Sequence, residues 1–73
     1  MGKTERVIER LSDILLDEMG KEELTISEMA VKCGISKRKL CDIIYKEKKG
    51  LLVETLLTIC ENMNIDCVEI LKN

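Results

Sequence analysis

The sequence predicts an all-α fold, and three observations carry that reading. Proline is absent and Tyr45 is the single aromatic residue in 73, whereas a sheet would want aromatics and strict alternation. Leucine, isoleucine, glutamate and lysine dominate, and the apolar residues recur in steps of three and four. The breaks between those stripes are short and marked by glycine or by capping residues. Together they give five helices joined by short links, in one domain spanning residues 1–73. A chain of this length buries only a modest core, so its stability depends on close helix packing or on dimerisation.

The first predicted helix runs from Lys3 to Met19. Val7, Ile8, Leu11, Ile14 and Leu15 form its apolar stripe, Thr4 is available as its cap, and Gly20 is expected to end it. Glu5, Arg6, Glu9 and Arg10 read as a solvated face of like-charge neighbours one turn apart, so burial rather than surface pairing holds this helix. Lys21, Glu22 and Glu23 form a polar link, after which Leu24 turns back toward the core. Thr25 or Ser27 caps a second helix carrying Met29, Ala30 and Cys33. Gly34 stops it, because glycine takes the left-handed conformation without a Cβ penalty. Ile35 tucks in after the turn. Ser36 then caps a third helix with Leu40, Ile43 and Ile44 on its apolar side.

The segment from Tyr45 to Gly50 reads as a basic loop. A fourth helix follows from about Leu51 to Met63. Its stripe is Leu52, Leu56, Ile59, Cys60 and Met63, flanked by Val53 and Leu57. Asn62 and Asn64 suit its end, Ile65 plugs the core, and Asp66 caps a last short helix with Cys67, Val68, Ile70 and Leu71.

Charge is unevenly distributed. The net charge is −2, but residues 31–49 hold seven cations against two anions, while the segments on either side are acidic. Lys37, Arg38 and Lys39 fall in the first turn of the third helix, where they oppose the positive end of its dipole. A sequence that accepts this cost points to an anionic partner, and a phosphate backbone with base edges beside it fits.

From about Leu24 to Leu71 the chain resembles the phage-repressor and Cro (XRE) family of helix-turn-helix proteins. The matching residues are Met29-Ala30, Cys33-Gly34-Ile35, Ser36-Lys37-Arg38, Leu40, Ile43 and the run from Leu52 to Asp66 with its Glu54-Thr55-Leu56 and Asn64-Ile65-Asp66 landmarks. The resemblance implies a compact five-helix, lambda-repressor-like domain with Ser36–Ile44 in the major groove of double-stranded DNA. It implies base contacts from Lys37 and Arg38, which suit the N7 and O6 acceptors of guanine. Asp42 either accepts from a cytosine amino group or pairs with Arg38, four residues earlier. Phosphate contacts would come from Ser36, Lys39, Lys46, Lys48 and Lys49. Two positions depart from the family pattern: Ile26 stands where a phosphate-holding glutamine is common, and Lys46-Glu47-Lys48 replaces a loop with arginine or asparagine beside glycine.

Members of that family usually read two half-sites as dimers. The C-terminal helices are the candidate dimer surface, through Val68, Ile70 and Leu71, although core packing is expected to claim at least two of these three. Cys33, Cys41, Cys60 and Cys67 form no CxxC pair and the chain has no histidine, so reduced thiols are expected and no metal or cofactor is implied. No histidine, glycine-rich phosphate loop or nucleophile–base pair recommends catalysis. The chain therefore reads as a cytoplasmic non-enzyme, with no apolar run long enough for a membrane span. The rival expectation is a protein-interaction module, antitoxin-like or accessory, whose basic loop grips an acidic surface.

Overall fold

The first helix begins by Lys3 and runs for 20 residues, well past the glycine expected to end it. The computed structural model describes residues 3–45 and 53–72, with only the backbone of residues 3–5. Five helices lie among them: α1 (Lys3–Glu22), α2 (Ile26–Cys33), α3 (Lys37–Ile44), α4 (Val53–Met63) and α5 (Cys67–Leu71). No strand occurs among the described residues. The radius of gyration, 11.2 Å, is that of a compact domain of this length.

The local signals act where the sequence puts them. Thr25 caps α2: its hydroxyl accepts from the Glu28 N–H at 3.2 Å, and the Glu28 carboxylate accepts from the Thr25 N–H at 2.8 Å. That reciprocal pair satisfies two of the donors a helix start leaves open. Gly34, at φ 76°, ends α2. Its N–H and that of Ile35 donate back to the Ala30 carbonyl at 2.9 and 3.1 Å, closing the helix end. Ser36 caps α3 by accepting from the Lys39 N–H at 3.2 Å. Asn64 takes the left-handed conformation after α4, and Asp66 caps α5 by accepting from the Val68 N–H.

The core draws on every helix. Leu11 and Leu15 from α1, Met29 and Cys33 from α2, Leu40 from α3, and Ile59 from α4 are fully enclosed, and Ile70 from α5 is almost so. Met19, Leu24, Ile26, Ile35, Met63, Ile65 and Cys67 are partly buried around them. Helix α1 lies against α2, α3 and α5, while α4 bridges α2 and α5. Among the described residues, no helix is long and apolar enough to cross a membrane.

Five expectations need correction. Gly20 does not end α1. The helix continues through it and stops at Glu23, which adopts φ 54°, and the Leu24 N–H closes back on the Met19 carbonyl at 3.0 Å. A mid-helix glycine costs only about 1 kcal/mol, and the extra turn brings Leu24 back to the core beside Met19. Thr4 lies within α1 rather than ahead of it. Ile14 is not a core residue: it is exposed, and Ser12 is buried in its place. Ser12 stands four residues after Ile8 and three before Leu15, inside the stripe, whereas Ile14 falls on its edge.

Arg10 is not merely part of a solvated face. Its guanidinium donates to the Ile70 carbonyl at 3.0 Å, placing a cation at the C-terminal end of α5, where the helix dipole favours it. Of Val68, Ile70 and Leu71, only Ile70 is buried. A helix of five residues buries one narrow stripe and leaves the other two apolar side chains at the surface. The expectations for Leu51, Leu52 and the basic loop from Lys46 to Gly50 lie outside the described residues.

Candidate nucleic-acid interface

Helix α3 has two unlike sides. Leu40, Ile43 and Ile44 are buried, and Lys37, Arg38 and Lys39 are exposed. At 100° per residue, Arg38 projects most nearly opposite the buried stripe, with Lys37 and Lys39 on its flanks. None of the three makes an ion pair with a described residue. Three cations therefore fan out from the first turn, next to backbone N–H groups that carry the positive end of the helix dipole. Asp42 lies one turn beyond Arg38, half-buried, and is engaged in an interaction of its own. Ser36 is exposed, with its hydroxyl oxygen occupied as acceptor of the Lys39 N–H, so its O–H remains as a donor. Lys46, Lys48 and Lys49 lie outside the described residues.

Not every cation of the basic segment belongs to this surface. Lys32 reaches across to α1, 2.7 Å from the Glu18 carboxylate and 3.7 Å from that of Glu22. The hydrogen bond to Glu18 is the main reason its pKa is raised. Lys32 thus joins α2 to α1, and among the described residues of the basic segment the cations without an ion pair to a described residue are Lys37, Arg38 and Lys39.

Side chains from other helices hold the C-terminal end of α3 and the helix end just before its start. At its C-terminal end the buried Ser12 hydroxyl donates to the Ile44 carbonyl at 3.3 Å, one of the acceptors a helix end leaves open. Before its N-terminal end, Asn62 of α4 donates through Nδ2 to the Cys33 carbonyl at 3.0 Å and to the Thr58 carbonyl at 2.9 Å. A Cβ built on Gly34 would stand 2.5 Å from that nitrogen, so the turn and α4 meet too closely for any other residue to fit undisturbed. An open groove of about 490 Å³ runs beside this junction, with Val31, Ser36, Lys39, Glu54 and Thr58 among its walls.

Sequence reasoning found the cap, the turn and the cations, and missed the two anchors. Ser12 was visible only as a polar residue inside an apolar stripe. Asn62 carried no signal beyond its suitability for a helix end.

The cysteines sit apart from this surface, except for the half-buried Cys41 on α3. Burial pushes the Cys33 thiol up, and burial together with the neighbouring Cys67 thiol pushes Cys60 up to about 12. Both therefore stay protonated at neutral pH and make poor nucleophiles. Among the described residues, no three histidine, cysteine or acidic side chains are grouped to hold a metal ion.

No family model, curated protein or solved structure matches this chain.

Proposed function

We propose that this protein is a sequence-specific double-stranded DNA-binding protein of the lambda-repressor-like, helix-turn-helix kind, a cytoplasmic transcriptional regulator that acts by occupying an operator. The observation that carries the reading is the start of α3, where Lys37, Arg38 and Lys39 are exposed while the opposite side is locked into the core. Lys37 and Arg38 are the base-contacting residues, with guanine N7 and O6 as their acceptors. Ser36 and Lys39 hold phosphates, joined by Lys46, Lys48 and Lys49 of the segment that follows. Asp42 makes no ion pair with Arg38 and has an interaction of its own; as a base contact it would accept from a cytosine amino group. The activity is binding rather than catalysis, and it requires no cofactor. A homodimer through α5 supplies the second half-site, with the exposed Val68 and Leu71 as contacts.

The test is selection from random duplexes, with the wild type beside a Lys37→Ala/Arg38→Ala variant. The expected result is a palindromic motif that the variant does not enrich, and binding that falls steeply with added salt. Weak, unselective binding that the variant leaves unchanged would overturn the reading. One observation favours the rival protein-interaction module: Ile26 is half-buried against the core at the position where the resembling family often holds a phosphate with glutamine. In that case an acidic protein surface replaces DNA as the partner of the α3 cations.

A further inference from the structure

We propose that Asn62 is a positioning residue that sets the sequence selectivity of α3 without touching DNA; the proposal rests on the DNA-binding reading above. Asn62 uses both hydrogens of its amide, one on the Thr58 carbonyl of its own helix and one on the Cys33 carbonyl at the end of α2. The first bond fixes the side chain's direction. The second ties the last residue of α2 to α4. The link that follows, Gly34 to Ser36, is itself rigid: the Gly34 and Ile35 N–H groups are bonded back into α2, and Ser36 caps α3. Holding the Cys33 carbonyl therefore holds the start of α3, and the three cations stand in the very next turn. The amide nitrogen lies only 2.5 Å from where a Cβ on Gly34 would stand, so it sits directly against the turn.

Selectivity is where this clamp should be felt. Hydrogen bonds to base edges tolerate shifts of only a few tenths of an ångström and a limited range of angles. Lysine contacts to phosphate, on long flexible stems, tolerate much more. Freeing the turn should cost base contacts first and phosphate contacts little. The other end of α3 remains held by Ser12, so the helix would pivot rather than detach.

The experiment compares Asn62→Ala with the wild type on two duplexes: the one enriched by selection, and a scrambled one. Both proteins are measured where circular dichroism shows them fully helical. Asn62→Asp, which keeps the size of the side chain and removes its donors, stands in if the alanine variant does not fold. The expected result is binding to the selected duplex weakened by at least about tenfold, the loss of one good base contact, with scrambled-duplex binding within about twofold. Equal weakening on both duplexes would make Asn62 a stability residue only and overturn the proposal, as would no change on either. A wild type that prefers neither duplex would overturn the DNA reading and this proposal with it. Side-chain amide signals of Asn62 in the wild-type NMR spectrum separate the two failures. Slowed exchange there without selectivity faults the DNA reading; selectivity with rapid exchange faults the clamp.

Discussion

Replacing Gly34 by alanine tests the junction at the turn most directly. Gly34 sits at φ 76° and ψ 28°, a conformation that costs an L-residue about 1–2 kcal/mol. Alanine recovers roughly 0.5 kcal/mol by restricting the unfolded chain. The new Cβ would meet Asn62 Nδ2 at 2.5 Å, so the amide must swing away and give up its bonds to the Cys33 and Thr58 carbonyls. Each such bond is worth about 0.5–1.5 kcal/mol net. The combined loss is about 2–4 kcal/mol, a large part of the stability of a domain this small. Urea unfolding followed by circular dichroism reads it, and a thermal melt should show Tm falling by roughly 10–25 °C. Repeating the substitution in an Asn62→Ala background isolates the collision: there Gly34→Ala should cost only the backbone strain, about 1–3 kcal/mol less than before. A loss below about 1 kcal/mol in the wild-type background, or the same loss in both, would refute the reasoning.

Three further outcomes follow from the fold. Gly20→Ala should stabilise the protein by about 0.5–1 kcal/mol in a thermal melt, because the residue is helical and a Cβ there meets nothing within 4 Å. Ser12→Ala should cost about 1–3 kcal/mol in urea unfolding, since it leaves the buried Ile44 carbonyl without its donor. Glu28 has its pKa lowered below the ordinary 4.5, first by the Thr25 N–H and then by the Thr25 hydroxyl. A depressed carboxylate contributes stability that is present above the ordinary pKa and is lost as pH falls through the lower folded value. The acid limb of a stability–pH curve should therefore be shallower in Glu28→Gln, and an unchanged limb would count against the capping box.

What was legible in the sequence was mostly local chemistry. Thr25, Gly34, Ser36 and Asp66 act through backbone groups within a few residues of themselves, and their roles can be read without knowing the fold. The core positions of α2 and α3, and Leu56, Ile59 and Cys60 of α4, were legible because their stripes keep helical spacing, whereas the buried Thr55 was not. Ser12, Arg10 and Asn62 were not, because their partners lie 32, 60 and 29 residues away. Spacing along one helix says nothing about which carbonyl another helix will bring to it. Gly20 misled for a related reason: its local preference to end a helix was outweighed by the burial gained when α1 runs on and returns Leu24 to the core. Of the candidate interface, the exposed cations were foreseen, whereas the capture of Lys32 by α1 depends on the tertiary arrangement.

The anchoring of α1 has a consequence for how the chain reaches this state. The α2–α3 turn is closed by bonds between residues four and five apart and forms on the timescale of local helix and turn closure. Helix α1 is held by Ile44 and Ile70, 32 and 60 residues from their partners. Those long loops must lose their freedom before either bond repays it. Helix α1 is thus expected to be the last of the described helices locked in place. A folding transition state organised around α2, α3 and α4 would leave substitutions in α1 to act mainly on the unfolding rate.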